Sequence, residues 1–372
     1  MNPIGIYLHV PFCRGKCPYC DFYSVNLSEE LLDAYTDETV RRIRALAEES
    51  VTADTVYFGG GTPSLLGGKR ISRLLSALGS SVTIAKNAEI TVEANPSTDL
   101  RDFLSGCAAS GVNRLSLGMQ SAVPRELVAI GRKHTPQDVL SAMETARTLG
   151  IENLSLDLMI GIPHQTGDTL TQSIEFIKNS APSHVSAYML KIEEGTPFYR
   201  IKDTLPIADD DALADLYEAA FASLEQLGYR QYEISNASRE GREGRHNLHY
   251  WNDDEYIGIG PAAHGFWHGR RYFYSRSLRE YLGGAAATFD EPGGSEEEYI
   301  LLRLRLAEGL TEQGMLERFG HGIPSPIVAY AGIPAMKQFC TYDGISLSLT
   351  RKGMLLSNAV ISQFLSLCDK PS

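Results

Sequence analysis

Cysteine is scarce in this chain and unevenly spread, with six in 372 residues. Cys107, Cys340 and Cys368 stand singly, which excludes a disulfide-scaffolded secreted domain and fits a reducing compartment. Tryptophan is scarcer still, with two. No apolar run reaches the ~18–20 residues that span a bilayer, so no membrane-crossing helix is expected. Met1–Gly5 lacks a basic segment leading into an apolar stretch and a cleavage site, so no signal peptide is expected. Positive charge is also short: the formal net charge is −12, against the basic footprint of a dedicated nucleic-acid binder. These absences together predict a cytoplasmic protein. The hydrophobic content of 43% and charged content of 22% are those of an ordinary globular chain, too long for one small core.

The first half repeats one rhythm. Short β-branched runs at 4–10, 55–58, 89–93, 114–117, 153–159 and 184–190 alternate with amphipathic stretches near 29–49, 68–78, 99–110, 137–149 and 168–179. Strands alternating with helices predict βαβ units and a parallel sheet. Six units in this span predict an α/β fold, a partial (β/α)6 barrel short of the eight that close a full one; a doubly wound sheet is the alternative. Polar residues gather just after the strands: the cysteines after the first, Gly59–Gly61 after the second, then "EANP", "GMQS" and "GIPHQT". The carboxyl ends of strands form the working face of such folds. A helix is expected over 209–227. The segment 236–290, rich in His, Gly and aromatics, reads as an extension packing on a core of residues 1–235. A Gly/Ser/Glu stretch near 290 reads as a linker to a small, mostly helical domain over 291–372, ending in a hairpin-like piece and a helix.

Three cysteines, Cys13, Cys17 and Cys20, share one loop, "CRGKCPYCDF", at C-x3-C-x2-C spacing. Structural zinc wants four ligands, commonly two C-x2-C pairs, and only His9 is at hand to complete a set. Inert buried thiols sit poorly beside Arg14, Lys16 and Asp21. A [4Fe–4S] cluster held by three thiolates keeps one iron open, so that a small molecule can bind it directly. "GGGTP" lets backbone approach a ligand closely, because glycine lacks a Cβ. Glu93 and Asp157 end strands where a carboxylate can hold an ammonium or a ribose diol. An ordinary tight turn and solvated carboxylates are the plain alternatives.

The motifs "YLHVPFCRGKCPYCDF", "YFGGGTPS", "TVEANP", "LSLGMQS", "GRKHT" and "LDLMIGIPHQT" resemble the coproporphyrinogen dehydrogenase-like branch of the radical S-adenosylmethionine (SAM) superfamily, over nearly the whole chain. That resemblance implies a [4Fe–4S] cluster on Cys13, Cys17 and Cys20, and SAM held by Tyr7, Tyr19, Gly60, Gly61, Thr62, Glu93, Gln120, Arg132 and Asp157. Reduction of SAM by the cluster would break a carbon–sulfur bond, with the cofactors carrying the chemistry and the protein positioning them. Two subfamilies compete. The oxygen-independent coproporphyrinogen III dehydrogenases carry a fourth cysteine two places on, where this chain has Phe22, and an N-terminal arm, where only six residues precede Tyr7. Together with "HNLHYW" at 246–251, these departures resemble the HemW group of haem chaperones.

That resemblance implies haem as a ligand, acceptor haem proteins as partners (respiratory and at the inner face of the membrane), an electron donor for the cluster, and no nucleic acid. His246 is the first candidate haem ligand, with His249 and His264 competing, and Arg270 and Arg271 are candidate propionate partners; imidazole is the usual proximal ligand. Equally, "HNLHYW" reads as a turn with Tyr250 and Trp251 packed in a core. The runner-up activity is oxidative decarboxylation of coproporphyrinogen III in porphyrin biosynthesis.

Overall fold

The computed structural model describes residues 3–96 and 100–368. Six parallel strands, β1 (Ile4–Val10), β2 (Thr52–Gly60), β3 (Thr83–Ala94), β4 (Arg114–Gln120), β5 (Asn153–Ile160) and β6 (His184–Met189), lie side by side in chain order. Helices α1 (Glu29–Ala45), α2 (Gly67–Ser81), α3 (Arg101–Ala109), α4 (Pro124–Ala129), α5 (Pro136–Thr148) and α6 (Gly167–Ser180) connect them. The expected partial (β/α)6 barrel is therefore present. Local chemistry sets the helix starts. Ser28 caps α1 by accepting from the Leu31 N–H, and Thr135 with Asp138 closes a capping box on α5.

Side chains alternate across a strand, and here the alternation separates two environments. Ile6, Leu8, Val56, Phe58, Val92, Leu115, Leu117, Leu154, Leu156 and Val185 are buried in the main apolar core, which also takes in the helices. The intervening residues, such as Tyr7, Tyr57, Glu93, Ser116, Asp157 and Tyr188, are polar or aromatic and face the barrel interior.

Beyond β6 come α7 (Pro197–Arg200), α8 (Asp210–Gln226), β7 (Arg230–Gln231), β8 (Asn236–Ser238) and α9 (Arg245–Trp251). β9 (Tyr256–Ile259) then pairs parallel to β1, so the first strand is sandwiched between β2 and β9. β10 (His264–Trp267), β11 (Arg270–Phe273) and β12 (Thr288–Pro292) continue as an antiparallel meander, completing a sheet of twelve strands. The stretch read as a linker near 290 is thus partly an edge strand, its backbone paired with β11. The His-rich segment extends the sheet itself.

A second apolar cluster, including Ile300, Leu304, Met315, Ile327, Leu347 and Phe364, organises residues from 296 onward. It holds five helices and a three-stranded antiparallel sheet at 310–311, 340–342 and 346–349. Asp253, whose side chain is fully buried, ties this unit to the barrel. It accepts from Arg271 at 2.9 Å and from Arg318 at 2.6 Å.

Candidate functional site

The loop after β1 carries the cysteines and is closed on itself. Cys13 N–H donates to Val25 O at 3.1 Å, Val25 N–H to Pro11 O at 2.8 Å, and Cys20 N–H to Cys17 O at 3.1 Å. The three thiols are partly exposed. Cys13 Sγ lies 3.4 Å from Thr62 Oγ1, which ties the loop to the end of β2. Burial pushes the Cys20 thiol pKa up, and the Cys17 and Cys13 thiols add to that. The three sulfurs therefore share one field. Among the described residues, no three His, Cys, Asp or Glu side chains converge closely enough to hold one metal ion. A polynuclear cluster, in which each thiolate takes a separate iron, needs a wider spread than a single ion does. Three thiols on one closed loop, beside a glycine turn, fit such a cluster.

Gly60 and Gly61 are required by close approach. Gly61 N–H donates to Val10 O at 2.8 Å, and a Cβ on Gly61 would lie 2.6 Å from Phe12 O. Gly60 has φ +107°, and its Cβ would meet the His9 ring at 2.6 Å. The turn thereby packs its backbone against the root of the cysteine loop.

Glu93 is half-buried and accepts from the Tyr57 hydroxyl at 2.7 Å. Burial raises its pKa to about 7; the Tyr57 hydrogen bond opposes this and the negative charge of Asp157 adds to it. Asp157, accepting from Ser116 at 3.3 Å, is raised by burial to about 6, with Arg132 and Arg114 opposing. Two carboxylates thus face one polar interior at a cost relieved by a bound cation. Arg132 donates twice to the Tyr19 hydroxyl, at 2.8 and 3.2 Å, joining the β4 rim to the cysteine loop. Gln120, buried with φ +66°, accepts from Tyr188 at 2.9 Å. Tyr7 lies beneath, its hydroxyl 3.1 Å from His9 Nδ1. Tyr7, Tyr19, Gly60, Gly61, Thr62, Glu93, Gln120, Arg132 and Asp157 are therefore gathered at one end of the barrel with the thiols. The two half-buried carboxylates among them answer a ligand that carries a positive charge.

The Radical SAM superfamily model matches residues 7–177. The chain is 37% identical to the heme chaperone HemW of Mycobacterium tuberculosis (strain H37Rv), over 98% of this chain and 95% of that protein. It is 33% identical to the HemW of Bacillus subtilis (strain 168), over 96% and 98%. The chain belongs to the HemW family. Among solved structures, the Escherichia coli coproporphyrinogen III oxidase (HemN), a radical SAM enzyme, superposes with a TM-score of 0.81 over 97% of this chain and 90% of that one. At 20% identity this likeness carries the fold alone.

The segment behind the HemW resemblance, "HNLHYW", lies elsewhere. It forms α9, which plugs the amino-terminal end of the barrel. The Glu89 carboxylate accepts from Arg245 N–H at 3.3 Å and His246 N–H at 3.2 Å. His246 is buried. Its Nδ1 pairs with Thr55 Oγ1 at 2.8 Å and its Nε2 with Tyr250 Oη at 2.7 Å, and its ring stacks on Tyr57 at 5.1 Å. Burial, with the charge of His249, lowers its pKa to about 3. Both nitrogens of His246 are engaged, so this conformation does not present it as an open iron ligand. His249 pairs with Asp54 at 2.8 Å. Burial alone would lower its pKa, but Asp254 and Asp54 raise it to about 9 and hold it protonated. His264 is exposed at the start of β10, and Arg271 is occupied by Asp253 and Glu298. The sequence reading missed the partners Asp54, Thr55 and Glu89, which lie over 150 residues upstream of the histidines.

Proposed function

We propose that this chain is a haem chaperone: it binds haem and hands it to acceptor haem proteins, with a [4Fe–4S] cluster on Cys13, Cys17 and Cys20 and SAM beside it. The observation carrying this reading is identity of 37% across 98% of the chain to a heme chaperone HemW. Phe22, 67% exposed beside the third cysteine, supports the same assignment. The acceptor is a respiratory haem protein at the membrane, the chaperone working from the cytoplasm, and an electron donor reduces the cluster.

The cluster, when bound, supplies one electron at low potential to SAM. This chain's residues do the rest by position. Glu93 and Asp157 neutralise a positive group, Arg132 ties Tyr19 of the cysteine loop to the β4 rim, and the Gly60–Gly61 turn packs its backbone against the root of that loop. The test is one anaerobic comparison of reconstituted protein with haem and with coproporphyrinogen III. Haem binding without carbon dioxide release is expected. Stoichiometric carbon dioxide release, dependent on SAM and reductant, would overturn the chaperone in favour of the decarboxylase.

A further inference from the structure

The outer face of the sheet extension carries a groove that the cofactor site does not use. It lies between the end of α1 and strands β9–β12, with a volume of about 380 Å³. That falls within the ~300–1,000 Å³ of small-molecule sites. Its floor is Ile257–Ile259, and its walls include Trp267, Tyr274 and Phe289. Trp267 is one of two tryptophans in the chain. Phe289 is 58% exposed on the edge strand, its ring covered on one side by the Arg270 side chain.

Polar groups mark the two ends. At one, Arg42 is half-buried and committed, donating to Glu38 at 2.7 Å and to the Tyr281 and Ala285 carbonyls, so it closes that end. At the other, Arg270 is exposed and lies 4.6 Å over the Phe289 ring. His268 stands at the mouth, on the tight β10–β11 turn. Both turn residues, His268 at φ +52° and Gly269 at φ +68°, are left-handed, as a two-residue hairpin requires. Its Nε2 meets Glu49 at 3.0 Å, an exposed and therefore weak pair. His268 is the one imidazole lining this groove.

The geometry points to this groove as the haem-loading site: the porphyrin face lies on Trp267 and Phe289, a propionate draws Arg270 off the Phe289 ring, and His268 takes the iron in place of Glu49. This rests on the chaperone reading. Each element answers one property of the ligand: flat aromatic walls a flat apolar ring, a guanidinium a carboxylate, and imidazole the iron. His268 follows β10 at the end opposite His264, about 13 Å along the strand at ~3.3 Å per residue. Haem loading at this place does not draw on the cysteine loop.

The experiment titrates full-length protein with haem, reading the Soret band and tryptophan fluorescence. Wild type and a Cys13→Ala/Cys17→Ala/Cys20→Ala variant are expected to bind alike. His268→Ala and Arg270→Ala, both at exposed positions, are expected to raise Kd at least tenfold, and His268→Ala to change the Soret position. Protoporphyrin IX without iron should keep the Arg270 dependence and lose that on His268. Haem dimethyl ester should do the reverse. Wild type that fails to bind haem sinks the chaperone reading itself. Wild type that binds while His268→Ala and Arg270→Ala bind equally well overturns this site alone. So does a loss confined to a His246 variant with wild-type folding.

Discussion

Replacing Glu93 by Gln removes a charge from the barrel interior without changing its shape. The fold raises this carboxyl to about 7 from an ordinary 4.5. At ~1.36 kcal/mol per pH unit that difference is worth roughly 3 kcal/mol. Because the side chain is half-buried, about 1–3 kcal/mol is the working range. The sign follows from linkage: a raised pKa means the folded state favours the protonated form. The group's contribution is fully present below about 4.5 and lost as pH rises through about 7. Cluster-free Glu93→Gln should therefore match wild type at pH 4 and exceed it by about 1–3 kcal/mol at pH 8, measured by urea denaturation. Glu233 is raised as well and remains in the variant, whereas Asp157 is coupled to Glu93 by charge, so the difference reports the pair. In reconstituted protein the same change should weaken SAM binding by about 1.5–3 kcal/mol, the worth of a charge-assisted hydrogen bond. A variant equally destabilised at both pH values would refute the reasoning, since it would make Glu93 a structural hydrogen-bond acceptor with no electrostatic cost.

Three further outcomes are expected. Cys13→Ala, Cys17→Ala or Cys20→Ala abolishes a reconstituted [4Fe–4S] cluster in Mössbauer spectra, whereas Cys107→Ala, Cys340→Ala and Cys368→Ala keep it; an intact cluster in all three loop variants defeats the assignment. His246→Ala leaves two buried hydroxyls, on Thr55 and Tyr250, without their ring partner and opens a gap against Tyr57. It should cost about 2–4 kcal/mol in chemical denaturation, and an unchanged midpoint would show that α9 is not a plug. Asp253→Asn removes the charge facing Arg271 and Arg318, costing about 3–5 kcal/mol. It should split unfolding into two transitions, as the unit from 296 onward loosens first; one unshifted transition would argue otherwise.

All six parallel strands, with Gly60, Glu93 and Gln120 at their carboxyl ends and Cys13 in the loop after the first, were legible because their signals are local. The β-branched runs are short, and each polar loop follows its strand directly. What escaped was the barrel interior. Parallel strands usually read as continuous apolar runs, yet "RLSLGMQ" in β4 sets Arg114, Ser116 and Gln120 between Leu115, Leu117 and Met119. That period-2 alternation was available and marks a sheet with two different faces. The place of β9 was not available, because pairing between Gly5 and Tyr256 leaves no mark within any short window. The partners of the histidines were out of reach for a related reason. Imidazole is a good ligand in general, and only the fold brings Thr55 and Asp54 against His246 and His249.

The sandwiching of β1 between β2 and β9 sets an order of events during synthesis. One neighbour of β1 is made within about 50 residues, and the other only when residues 256–259 appear. At roughly 5–20 residues per second, translation leaves that edge unpaired for tens of seconds. The plug that fills the barrel floor, α9, arrives equally late. Until then the cysteine loop hangs from a strand with one open edge, its thiols reactive and its geometry unset. Iron and sulfide delivered early would meet a floppy chelator. Delivered after release, they meet a finished socket. A socket of final geometry therefore exists for a cluster only once the ninth strand has emerged.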